Sequence, residues 1–302
     1  MILSTAYYWP IQNAYHPLNL GWNGCSEITS LSRNVTFLSY DKPLTGSPLL
    51  AIIGPATEFS KKESSRIWRF MENGGSVLLA DDFGTGNELL KDLNVSAKFS
   101  KTPLADLLYY DKNPGFPLII DFSPSPLTIN VTALLLNRPS YIEIENSSQV
   151  IELASSSPFS FIDLNEEHRP AINETVDSYP VMALTKIGKG SLILVSDPDI
   201  FVNEIVDLYN NKQLFENLLK IGGGSLLFDI DHLLKAPLTD ERITVRNSID
   251  SVRNLFLFSK NSVYIQSLVV MILILGFSFE ILRRSRKDQV GKHIRISCSE
   301  SI

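Results

Sequence analysis

Between Val263 and Leu282 the chain reads VYIQSLVVMILILGFSFEIL, and RRSRK follows at once. About twenty apolar residues in a helix cross a hydrocarbon core of roughly 30 Å, so this run is expected to be a single transmembrane helix. Gln266 and Glu280 lie near its ends, within reach of water, and Tyr264 suits the interfacial belt. The unbroken centre, Leu268 to Phe279, is long for a helix that must show one face to water.

Flanking charge orients such a span, because segments rich in Lys and Arg stay in the cytoplasm. Arg283, Arg284, Arg286, Lys287, Lys292 and Arg295 follow it, whereas only Arg253 and Lys260 come shortly before. The tail, 283–302, is therefore expected to be cytoplasmic and the bulk of the chain extracytoplasmic. Sequons at Asn34, Asn94, Asn130, Asn146 and Asn173 all fall on the outer side and are candidate glycosylation sites. No basic-then-apolar export segment follows Met1, so an N-terminal signal or anchor is expected to precede the chain given. The rival arrangement is a tail-anchored adaptor facing the cytoplasm.

The remainder is long enough for one α/β domain with an elaboration. The net charge of −6 over the whole chain, and the lack of a basic patch interleaved with aromatics, argue against nucleic acid as a partner. Cys25 and Cys298 lie on opposite sides of the expected membrane and would not pair.

Short apolar runs alternate with helical patterns in the first part of the chain, the signature of a mainly parallel sheet. VTFLS (Val35–Ser39), LLAII (Leu49–Ile53) and SVLLA (Ser76–Ala80) read as strands. Between the last two, Ser60 and Glu63 form a capping box, Ile67, Phe70 and Met71 share one helical face, and Gly74 ends the helix. A further helix starts near Asn87. From about 100 to 163 the chain is rich in Ser, Pro and β-formers, and PLIIDF, LTINVTALLL, YIEIE and QVIELA read as strands of a β-rich insertion. Val181–Leu184 and SLILV (Ser191–Val195) are strands joined by a GKG turn. Helices are expected over Asn203–Tyr209 and Asn211–Ile221, and SLLF (Ser225–Phe228) is the last strand. The expected organisation is an α/β domain over 1–232, a juxtamembrane connector over 233–262, the span over 263–282 and the tail.

Four blocks, GWNGCSEI, LLAIIGPATEFSKKESSRIWRFMENGGSVLLADDFGTGNELL, GKGSLILVSDPDIFVNE and LLFDIDH, occur in this order and spacing. From Gly21 to His232, and in its anchor, the chain resembles a prokaryotic, largely archaeal, membrane-anchored family of unknown function. The domain of that family is similar to class I glutamine amidotransferases, with a flavodoxin-like sandwich. The resemblance implies fold and location and no established reaction. Family members commonly carry an N-terminal apolar segment that this chain lacks.

An amidotransferase needs a nucleophilic Cys on a tight strand-to-helix turn with a His base nearby. The corresponding turn here, Ala80–Gly86, holds Asp81, Asp82 and Phe83 instead, and Cys25 lies in a polar N-G-C-S context. The stronger candidates are carboxylates placed after strands: Asp81 and Asp82, Asp197 and Asp199, then Asp229 and Asp231 with His232. Loops after the carboxyl ends of parallel strands share one edge of the sheet, where ligands bind. Such a rim would take hydroxyl groups or a hard divalent cation, although no cofactor is required by the sequence. The alternative for each Asp is a turn or helix cap, as for Asp197 before Pro198, with Asn87 and Asn203 also placed as caps. Two functions stand open: a non-enzymatic envelope component binding a protein or small ligand, and an envelope hydrolase working through the acidic rim.

Overall fold

In the computed structural model the described residues are 11–235, except 39, 41–43, 47 and 171–174. They fall within one compact unit, Pro10–Thr239. The expected transmembrane run, the connector beyond Lys235, Asn173 and Cys298 lie outside them. Among the described residues no helix is long and apolar enough to cross a membrane.

In chain order the elements are α1 (Ser26–Ser30), β1 (Asn34–Leu38), β2 (Leu49–Ile53), α2 (Lys61–Glu72), β3 (Ser76–Ala80), α3 (Asn87–Asp92), β4 (Ala97–Phe99), β5 (Leu104–Asp106), β6 (Leu118–Ile119) and β7 (Asp121–Phe122). There follow β8 (Leu134–Leu135), β9 (Ile142–Ile144), β10 (Val150–Ser155), β11 (Ser160–Ile162), β12 (Val176–Asp177), β13 (Pro180–Ile187) and β14 (Gly190–Val195). A 3-10 turn over Pro198–Phe201, α4 (Asn211–Ile221) and β15 (Ser225–Asp229) complete the set.

An eight-stranded sheet in the order β1-β15-β2-β3-β14-β13-β10-β7 organises the domain. The first five strands are mutually parallel, and β13, β10 and β7 continue the sheet in antiparallel fashion. Continuous apolar runs make β2 and β3 suitable for the centre, and every residue of both is buried. On one face α1 and α4 bury Ile28, Leu214, Phe215 and Leu218 against Ala51, Ile53, Leu78 and Ala80. On the other, α2 and α3 bury Ile67, Phe70, Met71, Leu89 and Leu90 against Leu50, Ile52, Val77 and Leu79. The alternation of β2 and β3 side chains between these two cores is the two-residue period of a strand.

The expected capping box is present. The Ser60 side chain accepts from the Glu63 N–H, and Glu63 accepts in return from the Ser60 N–H at 2.8 Å. Gly74 takes a φ of 103°, and the Gly75 N–H reaches back to the Phe70 carbonyl at 3.0 Å. The β-rich insertion divides: β7 and β10 join the main sheet, β5 pairs with β11 and β12, and β4/β9 and β6/β8 are two-stranded ribbons.

Two expected elements differ. Leu127–Val131, read as part of a strand, is a pair of turns with Asn130 at a φ of 59°. Leu127 and Val131 reach the core without a ladder, and the Asn217 amide of α4 donates to the Leu127 and Ile129 carbonyls instead. Asn203–Tyr209, read as a helix, is a run of turns. Asn203 is committed elsewhere by its side chain, and Tyr209 stands at a φ of 50° before α4 begins.

Candidate functional site

The carboxyl ends of β14, β3, β2, β15 and β1 lie side by side, so the loops after them form one rim. Asp197, Asp81, Gly54, Asp229 and Tyr40 follow in that order across it. The expected gathering therefore holds for the edge, but β2 divides the acidic residues into two groups. Two strand spacings, roughly 9.5 Å, separate β3 from β15, several times the 2–2.6 Å length of a metal–oxygen bond. Among the described residues no three His, Cys, Asp or Glu side chains are grouped so as to hold a metal ion.

The first group is built on Asp197 and Asp199. Asp197 is fully buried and caps the 3-10 turn, its Oδ1 accepting from the Asp199 N–H at 2.8 Å. Its Oδ2 accepts from the Asn137 N–H at 2.6 Å. Asp199 accepts from the Tyr15 hydroxyl at 2.7 Å and from the Asn137 side-chain amide at 2.6 Å. Neither Tyr15 nor Asn137 was among the candidates from sequence. Tyr15 packs its ring on Gly54, whose φ of 58° and lack of a Cβ make room for it; a Cβ there would come within 2.3 Å of the ring.

Asp81 is spent locally: its Oδ2 accepts from the Gly86 N–H at 2.7 Å and closes the turn into α3. Asp82 is half-buried, and no hydrogen bond from another side chain reaches it among the described residues. Burial, then the charges of Asp81 and Asp199, push its carboxyl up to about 7. Burial and Asp199 also hold Asp197 well above the usual carboxylate range. Burial raises Asp199 as well, although Tyr15 and Asn137 oppose the shift. Among the described residues no Lys, Arg or His side chain bonds this web, and neutral O–H and N–H donors brace it.

The second group surrounds His232. Its Nδ1–H donates to Asp229 Oδ2 at 2.7 Å, and Nε2 lies 3.8 Å from Glu63 Oε2. The ring stacks on Phe59 with centroids 3.7 Å apart and meets Tyr40 edge-on. The Tyr40 hydroxyl donates to Asp229 at 3.3 Å. Asp229 Oδ1 also accepts from the Asp231 N–H at 3.0 Å, and Asp231 is itself exposed. Burial acts to lower the His232 pKa, but the hydrogen bond and charge of Asp229, with Glu63 and Asp231, raise it overall. Both His232 and Asp229 are buried, so this group braces the rim and presents little to solvent.

Both asparagines placed as caps of the helices that follow them serve other purposes. Gly86 stands at the N-cap of α3, and Asn87 brackets Phe99, donating to its carbonyl at 2.9 Å and accepting from its N–H at 2.8 Å. Asn203 accepts from the Glu27 N–H at 3.0 Å, capping α1 from far along the chain. It donates to the Asn19 and Gly21 carbonyls and to the Ser26 hydroxyl. Cys25 is not in an open polar loop but fully buried at the head of α1, where burial and Asp199 push its thiol up and keep it protonated. The sequon asparagines Asn34, Asn94, Asn130 and Asn146 are all exposed.

A mainly parallel α/β sheet with a carboxylate-lined rim is a common ligand-binding class. Within it, this chain belongs to the family of the domain of unknown function DUF4350, whose match covers residues 17–219. No curated protein matches the chain in sequence. Among solved structures, the mmIFT52 N-terminal domain is similar at 16% identity and a TM-score of 0.46, over 59% of this chain and 77% of that one. A ThuA-like protein from Bacteroides uniformis is similar at 15% identity and a TM-score of 0.37, over 69% and 78%. The β-galactosidase of Halorubrum lacusprofundi is similar at 13% identity and 0.40, but this chain spans only 25% of it. Likeness of this degree carries no functional argument.

Proposed function

We infer that this chain is a membrane-tethered, extracytoplasmic binding domain of the cell envelope, which holds a protein or small ligand at its rim and does not transform it. The carrying observation is the turn after β3. At the position where an amidotransferase would present its nucleophile stand Asp82 and the exposed Phe83. Asp81, Asp199 and Tyr15 act on Asp82, a set of acceptors and one neutral donor suited to hydroxyl or amine groups. Cys25 is buried, and His232 lies in the other group, so no nucleophile–base pair forms there. The tether rests on the apolar run at 263–282 and its basic flank, and the likeness to amidotransferases on the resemblance of the sequence blocks.

A second reading, an envelope hydrolase, is favoured by Asp82 itself. A half-buried carboxyl near 7 has the proton affinity of a general acid or base at neutral pH.

Turnover decides between the two. The full chain, purified in detergent, is expected to show no hydrolysis of glutamine, ester, phosphate or glycoside substrates above background. Turnover that disappears in Asp82→Ala overturns the binding reading and supports the hydrolase. Protease treatment of intact cells, expected to remove the domain, tests the orientation; complete protection would favour the cytoplasm-facing adaptor.

A further inference from the structure

Away from the rim, a cleft of about 540 Å³ opens between β9 and β10 in the β-rich insertion. Tyr141 and Tyr179 stand together on it, ring centroids 5.0 Å apart, and Ile144, Ile151, Glu143 and Glu152 complete its lining. The neighbouring strand β10 is paired along one side by β13, but β7 covers its other side only at Ala154 and Ser155. Among the described residues, no strand pairs with Val150–Glu152 on that side. An open strand edge offers main-chain N–H and C=O groups to any extended chain that reaches it, and protein edges are commonly guarded by Lys or Pro. This one carries acid. Ile151, beside Glu152 in the strand, is 54% exposed.

The charge of the cleft selects the guest. Glu143 meets Lys98 through Oε2 at 3.0 Å, and Glu152 accepts from the Ser155 hydroxyl through Oε1, leaving the second oxygen of each carboxylate. Glu145 acts on Lys98, and Asp177 acts on Tyr179, whose hydroxyl is raised by burial first and then by that carboxylate. Carboxylates beside aromatic faces attract a cation through charge and ring quadrupole together.

We propose that this cleft docks an extended basic peptide, which adds a strand along the outer edge of β10 and seats a Lys or Arg side chain against Tyr141, Tyr179, Glu143 and Glu152. Apolar residues of the same peptide, alternating with the basic ones, cover Ile144 and Ile151. The partner is then a protein with an exposed basic segment, and the site is independent of the rim.

The test is titration calorimetry on the full chain in nanodiscs with three probes: the hexapeptide Lys-Val-Lys-Val-Lys-Val, its counterpart with Glu for each Lys, and spermidine. The basic peptide is expected to bind at least tenfold tighter than the acidic one, more weakly as salt rises. Glu152→Lys should lower its affinity tenfold or more; Glu152 is exposed, so this change reads charge without touching the core. Equal binding of both peptides, or binding unchanged in Glu152→Lys, overturns the proposal. Spermidine binding as tightly as the peptide overturns it too, since the cleft would then be a small-cation pocket with no role for the strand edge.

Discussion

The two acidic groups on the rim face the same solvent and follow strands of the same sheet, yet their carboxylates are balanced in opposite ways. Around His232, Asp229 meets a base that also approaches Glu63, and two aromatic rings enclose the pair. Around Tyr15, three carboxyl groups crowd together with only neutral donors among them. The first arrangement offsets part of its negative charge internally through His232. The second leaves its carboxyl groups crowded, and the guest proposed for the rim would relieve that crowding by bringing donors or positive charge to Asp82.

Mutation should break this contrast in a graded way. His232→Ala has the largest expected effect, because it strands the buried Asp229 without its base; removing one partner of a buried pair costs about 3–5 kcal/mol. Denaturant unfolding of the full chain in detergent measures it, and a loss below about 1 kcal/mol would show that the imidazole does not balance Asp229. Asp197→Ala comes next. It takes the acceptors from the buried N–H groups of Asp199 and Asn137, which costs about 1–3 kcal/mol each, but it also relieves crowding on Asp82 and Asp199. Its net cost should therefore be smaller than that of His232→Ala and should shrink as pH rises.

Asp82→Asn has the smallest effect and the most telling sign. The folded-state pKa of Asp82 is raised to about 7, so the folded form holds this proton more tightly than the unfolded chain. The stability it supplies is complete below about pH 4 and is lost as pH climbs through about 7. Asp82→Asn should leave the melting temperature nearly unchanged below about pH 4 and raise it at pH 8. His232, raised as well, contributes stability that is complete below about 6.5 and is lost above that, as pH passes its folded value. Both groups favour acid, in successive windows, and melting curves of the two variants from pH 4 to 9 should separate them. A uniform shift for Asp82→Asn across that range would remove the electrostatic account.

Local signals in the sequence were sufficient for much of the frame. The apolar runs of β2 and β3, the Ser60–Glu63 box, the Gly74 stop and the sharing of one edge by the aspartates all follow from neighbours a few residues apart. The division of that edge did not, because it depends on β2 lying between β3 and β15, an order set by the parallel crossovers. Tyr15 bonds a residue 184 positions away and Asn137 one 62 positions away, with no motif marking either. Asn203 stands where a cap belongs, yet it caps α1 and holds the Asn19–Gly21 loop. Seen this way, the GWNGCSEI and SDPDIFVN blocks are two halves of one joint, which explains why they would be read together and why neither resembles a catalytic motif alone.

The last described strand leaves the domain at the same edge where the chain enters it. Asn13 donates to the Leu234 carbonyl at 2.9 Å, and the Ala56 N–H donates to that of His232 at 2.7 Å. For a domain tethered through its C-terminal side, this matters under tension. A pull beyond Lys235 first strains these two bonds and the His232 contacts, and only then reaches β15, which is clasped on both sides by the parallel strands β1 and β2. Force directed along that strand would have to slide many ladder bonds at once instead of opening them one by one. The His232 group would then yield at forces the sheet withstands, and a pulled domain would lose that brace before it lost its fold.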